Sequence, residues 1–325
     1  MRYPMMALFL GAGIAVLSAG CDDGGSGGSG GEGGTGAAGG QGGSGAAGGS
    51  GGSGATGGQG GSGGQGGSGG SGPMAVALTF QGRVGAEAFD CAKTFTGLGT
   101  AASEAKITDF RLYVHDVTLR AKDGTLVPVT LEQDGVWQYQ NLALVDFETG
   151  NGNCANGTAE THAVVTGTAP AGEYDGVSFK MGVPFELNHA DVAVAPSPLN
   201  LSGLFWNWNG GYKFLRADSV ATGAAMSFNL HLGSTECQEE GGAVTSCAKP
   251  NRPTIDLTGF DPLTTPIIVD YAAAVAGADV SKNDGGAPGC MSGATDPECL
   301  PIFERLGIDI QTGETMPGQT FFYTE

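Results

Sequence analysis

Residues 204–214 read LFWNWNGGYKF and hold two of the three tryptophans of this 325-residue chain. In an extended strand alternate side chains share a face, so Trp206 and Trp208 are predicted to lie side by side. The Gly210-Gly211 pair that follows is a turn signal before a second apolar run. The residue types alone therefore favour an aromatic core cluster closed by a β-hairpin.

Short runs that alternate or are rich in β-branched residues occur along most of the chain, with Gly, Asp or Pro between them. Long amphipathic helices are absent from the pattern, although residues 271–278 and 300–306 are predicted as short helices. This spacing predicts an all-β fold, a single β-sandwich-like domain with long loops. The predicted strands are residues 76–80, 109–119, 126–131, 137–144, 162–167, 176–181, 226–232 and 254–257.

The amino-terminal residues 1–20 are predicted to be a signal peptide of the lipoprotein type. Arg2 precedes an apolar stretch that is too short to span a bilayer as a stable helix. The sequence LSAGC at residues 17–21 is similar to a bacterial lipobox and predicts acylation of Cys21. A serine stands where the usual leucine would be, and ordinary secretory cleavage is the alternative.

Residues 21–72 are composed mainly of Gly, Ser, Ala and Gln. Without apolar side chains, nothing offsets the entropy lost on ordering the backbone, so this stretch is predicted to be a disordered tether. The remaining residues 73–325 suffice for one large all-β domain, and no second linker interrupts them.

Charge and motif content argue against several functional classes. The formal net charge of −19 at pH 7 disfavours nucleic acid and anionic lipid surfaces, and it suits a basic partner protein or a cation. Hydrolase, zinc-protease and nucleotide-binding motifs are absent, so the chain is predicted not to be an enzyme. Four carboxylates could include a glycosidase pair, but they are expected to orient histidines or cap loops: Asp116, Asp146, Glu148 and Asp191.

Cysteine content predicts an exported, oxidised domain. With Cys21 set aside, an even number of cysteines remains, which suits three disulfides. Short separation favours two local pairs and leaves the third by default, although other pairings stay open. Thiolate metal ligation is disfavoured because no CxxC motif occurs. The favoured pairs are Cys237 with Cys247, Cys290 with Cys299, and Cys91 with Cys154.

Seven blocks of sequence, in this order along residues 76–307, resemble the methanobactin-associated periplasmic protein (MbnP) family, the four-Cys-motif proteins of metallo-mystery-pair systems. The six cysteines depart from the family's nominal four, so one bridge would be an addition. The blocks are DFRLYVHDV at 109–117, VDFE at 145–148, GVPFELNH at 182–189, PSPLN at 196–200, FWNWNGGYKF at 205–214, HLGSTEC at 231–237 and NRP at 251–253.

The resemblance implies that a tryptophan is oxidised to kynurenine and that this residue and histidines bind copper. Trp206 or Trp208 is the expected site, because Trp137 lies in a turn-to-strand context typical of ordinary packing. Neutral imidazoles suit copper, which is near the upper end of the affinity order. A lone strand histidine is nevertheless more often structural or solvent-facing. The expected ligands are, in order, His115 and His231, then His189, and last His162, which falls outside the family's blocks.

The resemblance also implies a partner, a di-haem cytochrome c peroxidase-like protein that performs the oxidation with peroxide. This chain has no CxxCH motif, so it attaches no c-type haem itself. The expected location is the bacterial cell envelope, in the periplasm or on the outer-membrane surface, with a lipid anchor as the membrane attachment. The competing interpretation is a structural or adhesive surface lipoprotein that uses the sandwich as a binding module.

Overall fold

The computed structural model describes residues 72–325. The predicted signal peptide, the acylation site Cys21 and the tether, apart from Gly72, lie outside these residues. Within the described range, no helix is both long and apolar enough to cross a membrane.

Strands dominate the described residues, and each predicted strand coincides with one or two observed ones. The strands are β1 (Pro73–Val84), β2 (Glu87–Ala88), β3 (Thr94–Leu98), β4 (Ser103–Ala121), β5 (Leu126–Pro128), β6 (Thr130–Leu131), β7 (Gln138–Tyr139), β8 (Leu142–Asp146), β9 (Val164–Pro170), β10 (Tyr174–Met181), β11 (Phe205–Asn207), β12 (Gly211–Tyr212), β13 (Leu215–Ala221), β14 (Asn229–Leu232), β15 (Thr235–Glu240), β16 (Ala243–Lys249), β17 (Thr254–Thr258), β18 (Ile267–Asp270), β19 (Gly289–Cys290) and β20 (Phe322–Tyr323). The helices are α1 (Phe185–Asn188), α2 (Tyr271–Val275) and α3 (Cys299–Leu306).

The long strand β4 is the centre of the larger sheet because both of its edges are paired. Strands β13 and β10 follow one another along one edge, and β3, β8 and β5 follow one another along the other. Beyond β13 the sheet continues through β14 to β19, and beyond β10 it ends at β17. The middle of β4, residues 109–115, is almost wholly buried, so polar side chains in this segment need partners within the protein.

The smaller sheet has the order β20-β18-β1-β9-β6, with β2 paired to β1. Strand β1 is parallel to β18 and antiparallel to β9. Aromatic side chains connect the two sheets, since the ring of Phe179 in the larger sheet lies 5.7 Å from Phe80 and 5.2 Å from Phe322 in edge-to-face contacts. The prediction of an all-β, sandwich-like fold is confirmed for residues 72–325.

Three disulfides lie within residues 72–325. Cys91 bonds to Cys154, Cys237 to Cys247 and Cys290 to Cys299, which are the pairs that sequence proximity favours. The first closes the longest loop, because its two positions are 63 apart in the sequence. The second joins directly opposed residues of the two-stranded ribbon formed by β15 and β16. The third attaches β19 to the start of α3.

Candidate functional site

The tryptophan-rich stretch forms a hairpin, but the two indoles do not lie side by side. Strand β11 ends at Asn207, whose side-chain Oδ1 accepts hydrogen bonds from the backbone N–H of Asn209 at 3.0 Å and of Gly210 at 2.7 Å. This turn places Trp208 outside the strand with 47% of its surface exposed, whereas Trp206 remains in β11 and is partly buried. The expectation of a shared face is therefore wrong, because it requires the strand to continue beyond Asn207.

Trp206 borders a cavity of about 430 Å³ that Met291 also lines. The indole covers the backbone of Gly233, where a Cβ atom would collide with the ring, so only glycine permits this packing. The indole Nε1 is buried and has no hydrogen-bond partner. On another side, the ring centroid of Trp206 lies 6.5 Å from that of His231, with the planes tilted by 51°.

His231 is buried in β14, opposite Arg216 of β13. Its Nε2 lies in close contact with Asp218 Oδ1, at 2.8 Å, although neither ring nitrogen has an aligned hydrogen-bond partner, and its Nδ1 is buried without any charged neighbour at this distance. Burial opposes ionisation of Asp218, but the contacts with His231 and Arg216 prevail and the pKa of this carboxyl is lowered. The imidazole is thus held from the Nε2 side, which leaves Nδ1 as the unused nitrogen.

Asp218 belongs to a line of alternating charges that we call the charge chain, in which Arg216 is partly exposed and the other members are buried. Its members are Glu148, Arg111, Asp109, Arg216 and Asp218. Arg216 Nε is 2.8 Å from Asp218 Oδ2, and its Nη1 is 3.1 Å from Asp109 Oδ2. Arg111 pairs with Asp109 and lies 3.6 Å from Glu148. Through the pairing of β4 with β13, the charge chain runs from the segment after β8 to His231.

Asp146 lies beside the charge chain as the last residue of β8. Burial raises its pKa to about 8, and the negative charge of Glu148 adds to this effect, although Arg111 acts against it. Its Oδ1 accepts a hydrogen bond from the backbone N–H of Glu148 at 3.0 Å. Asp146 is therefore protonated at neutral pH.

His189 follows α1 and binds the turn of the hairpin by hydrogen bonds. The Tyr212 N–H donates to Asn188 Oδ1 at 3.0 Å, which directs Asn188 Nδ2 to donate to His189 Nε2 at 3.1 Å. The opposite nitrogen, Nδ1, lies 3.1 Å from the Trp208 carbonyl oxygen and donates to it. Burial lowers the pKa of His189, partly offset by the bond to Trp208. His189 is therefore a neutral imidazole that positions the backbone of the turn.

The Cys237–Cys247 disulfide also contacts His189, with Cys247 Sγ 3.6 Å from the ring Nε2. These three residues are the sole group of three potential ligand side chains found close together within residues 72–325. The sulfurs are bonded to each other and are not thiolates, so this group does not form a metal site.

His115 faces a different cavity, of about 570 Å³, which is lined mainly by polar residues. Its ring is buried, and Nδ1 lies 3.2 Å from Asp116, whose carboxylate also binds Lys180. Burial lowers the pKa of His115 to about 4, because the gain from Asp116 is smaller than the loss of hydration. The ring is neutral at physiological pH.

His162 stacks on Trp137, with ring centroids 5.2 Å apart and planes within 2° of parallel. Its Nδ1 is 2.6 Å from the Leu144 carbonyl oxygen. Trp137 thus makes the packing contact expected for it. The structure brings His231 next to Trp206 and His189 next to the Trp208 backbone, while His115 and His162 have other surroundings.

No site role was predicted from the sequence for the four residues that hold His231 in place, Asp109, Arg111, Arg216 and Asp218. A signal for them exists in the sequence. Opposite charges two residues apart occur as Asp-Phe-Arg at 109–111 and Arg-Ala-Asp at 216–218, and residues at this spacing share a strand face. Because the two strands are paired, their charged side chains can meet across the ladder.

The fold and the site together define a disulfide-stapled all-β protein with a tryptophan–histidine pair beside a cavity. The chain belongs to the MbnP family, whose family model matches residues 73–292. It is similar to the solved structure of MbnP from Methylosinus trichosporium, with 29% sequence identity, a TM-score of 0.70, and coverage of 77% of this chain and 97% of that one. No curated protein matches the chain significantly. The family is associated with methanobactin, a copper-binding system, and the chain is consistent with an extracytoplasmic location.

Proposed function

We propose that this protein is an exported copper-binding protein whose site is completed when Trp206 is oxidised to kynurenine. The observation that carries the proposal is the pairing of two buried, unpartnered nitrogens on neighbouring rings, Trp206 Nε1 and His231 Nδ1. Buried nitrogen atoms normally have hydrogen-bond partners, so two without partners in adjacent rings suit a site for another group.

The donor set fits copper once the indole is opened. An indole N–H only donates and offers no lone pair to a metal. In kynurenine the same nitrogen is an aniline nitrogen, and a ketone oxygen is added. His231 supplies an imidazole nitrogen, a ligand type that suits copper. Copper would then be held by His231 and the modified Trp206, and its binding is the chemistry that this site supplies.

The oxidation balances with peroxide as the oxidant. Two peroxide molecules cleave the C2–C3 bond of the indole, add one oxygen to each carbon and leave two waters. Water then hydrolyses the resulting N-formylkynurenine and releases formate. The chain supplies only the tryptophan, so it is the substrate of this reaction, and we propose that it is not itself an enzyme. The partner is a di-haem cytochrome c peroxidase-like protein.

Trp206 is favoured over Trp208 because of its surroundings. The side chain of Trp208 is half exposed, and it is the backbone carbonyl, not the indole, that contacts His189. The ring of Trp206 has a histidine beside it and a cavity at its edge. His115, His189 and His162 stay predicted ligands, and replacing each of them by Ala in the oxidised protein tests whether the amount of bound copper falls.

The test is to produce the full chain with and without the di-haem partner and to compare tryptic peptides and bound copper. We expect a gain of one oxygen and a loss of one carbon at Trp206, with copper stoichiometry rising in parallel. Trp206→Phe should abolish both changes, and the matched variant Trp208→Phe should retain them. Full copper binding by protein with unmodified tryptophans would refute the mechanism.

We further propose that Cys21 carries a lipid and that residues 21–72 hold the folded domain away from the membrane. The lipobox-like sequence and the Gly/Ser-rich composition support this proposal. Cys21→Ser should move the protein from the membrane fraction to the soluble envelope fraction. An unchanged membrane-bound fraction would show that the lipobox interpretation is wrong.

A further inference from the structure

We infer that Asp218 is a positioning residue that fixes the tautomer of His231, keeping the proton on Nε2 and the lone pair on Nδ1. The relevance of this tautomer to copper rests on the function proposed above, but the tautomer itself is a property of the chain alone. The inference begins with the 2.8 Å contact between Asp218 Oδ1 and His231 Nε2.

The contacts of Asp218 show that its carboxylate acts only as a hydrogen-bond acceptor. Its other oxygen, Oδ2, accepts from Arg216 Nε at 2.8 Å, so the carboxylate has a cationic partner and is itself about 95% buried. A carboxylate paired with a guanidinium only accepts hydrogen bonds. Two lone pairs repel each other at 2.8 Å, so the imidazole nitrogen that faces the carboxylate must carry the proton. A histidine that binds a metal does so as a neutral imidazole with one N–H, so in that form Nδ1 is left with the lone pair, as in the carboxylate–histidine pairs that orient metal ligands.

The rest of the charge chain prevents Asp218 from turning away. Arg216 is held at its Nη1 by Asp109, and Asp109 is held in turn by Arg111. Both arginines lie on paired strands, where Arg216 is directly opposite Arg111. Rotation of Asp218 would break its ion pair with Arg216, and breaking such a pair away from bulk water is costly. The orientation of His231 is therefore set by the sheet itself.

The main test uses Asp218→Asn in the full chain, made without the partner and without copper. In this variant Arg216 still needs an acceptor and takes the amide oxygen, so the amide NH₂ faces His231 Nε2. That nitrogen must then accept, and the proton moves to Nδ1. Nitrogen-15 NMR of the histidine side chains distinguishes the two tautomers. The matched control is Asp256→Asn, which removes an exposed aspartate paired with Arg120.

We expect protonation at Nε2 in the wild-type protein and in Asp256→Asn, and protonation at Nδ1 in Asp218→Asn. A wild-type His231 protonated at Nδ1 overturns the inference, and so does an unchanged tautomer in folded Asp218→Asn. If Asp218→Asn does not fold, the wild-type spectrum alone decides, since the inference predicts its tautomer.

A second measurement separates this inference from the proposed function. In protein matured by the partner, Asp218→Asn should lower the affinity for copper(I), set by a competing chelator, by about 10- to 100-fold, as for other partners of metal ligands. Asp256→Asn should retain the wild-type affinity. Wild-type protein that binds no copper would refute the proposed function while the NMR result still tests the tautomer. Unchanged affinity in an Asp218→Asn protein that does bind copper would refute the positioning role.

Discussion

Acidification should destabilise the copper-free protein through His115. This ring is buried, and burial lowers its pKa from the ordinary value of 6.5 to about 4. As pH falls below about 6.5, the unfolded chain gains a proton at this position and the folded protein does not. Protonation therefore favours the unfolded state, and the contribution of His115 to stability is present above pH 6.5 and is lost as pH falls towards 4.

The two pKa values determine the size of this effect. The folded and unfolded values of 4 and 6.5 are separated by about 2.5 pH units, each equivalent to 1.36 kcal/mol. Between pH 7 and pH 4, about 3 kcal/mol of unfolding free energy should be lost through this residue, since the transition at pH 4 is half complete. Such a loss is a large part of the stability of a typical domain.

The pH dependence of the wild-type stability would hide this effect, because the contribution of Asp146 changes with pH in the opposite direction. Its folded pKa is raised to about 8, so the folded state keeps a proton that the unfolded chain releases, and Asp146 contributes less stability as pH rises towards 8. The difference between wild type and His115→Gln cancels Asp146 and isolates His115. Urea titrations between pH 7 and pH 4 give this difference. His162→Gln, at a half-buried histidine, controls for the loss of a histidine as such. A wild-type-minus-His115→Gln difference that stays constant over this range would refute the reasoning.

Three further perturbations have expected outcomes. Gly233→Ala places a methyl group against the Trp206 ring and should cost about 1–3 kcal/mol and shift the tryptophan fluorescence; an unchanged spectrum and midpoint in urea would contradict the packing. Replacing Cys91 and Cys154 together by Ser should lower the unfolding free energy by about 4 kcal/mol, and replacing Cys237 and Cys247 together should lower it by about 3 kcal/mol. The first effect is larger because Cys91 and Cys154 are 63 positions apart in the sequence, whereas Cys237 and Cys247 are 10 apart. Thermal unfolding that ranks the two variants in the reverse order would contradict this. Arg111→Met should cost about 3 kcal/mol or more, because Glu148 and Asp109 lose a buried cation; a loss below about 1 kcal/mol in urea would show that the charge chain is not energetically coupled.

The central strand of the fold was predictable because its signal is local. Residues 109–119 combine β-branched, aromatic and aliphatic side chains, and the structure extends this run to the ends of β4. Strand β13 was missed, although it pairs with β4 over most of its length. Its inward face holds small residues such as Ala217, and its other face holds charges that are buried only because partners neutralise them. Hydrophobic periodicity cannot detect a strand of this kind.

The candidate site was predictable in its residue types and not in its arrangement. The family blocks identify His231 and the tryptophan pair. The different burial of Trp206 and Trp208, however, arises because the side chain of Asn207 forms a turn that ends the strand. The alternation of side chains along an extended strand does not predict such a turn. The contact of His231 with Asp218 instead depends on the register between β13 and β14, which forms only in the folded sheet.

The charge chain needs an explanation beyond stability. Each buried ion loses hydration worth several kcal/mol, and apolar replacements of buried ion pairs are often at least as stable as the pairs. Four buried charges and the partly exposed Arg216, on two paired strands and the segment after β8, are therefore an expensive way to fill a core. What these charges provide is a fixed orientation of His231, because each charged group positions the next one and the last, Asp218, contacts one nitrogen of the imidazole. If His231 binds copper as proposed, a ligand that is already oriented loses little conformational freedom on binding, and the cost of the charge chain in folding would be recovered as preorganisation of this histidine.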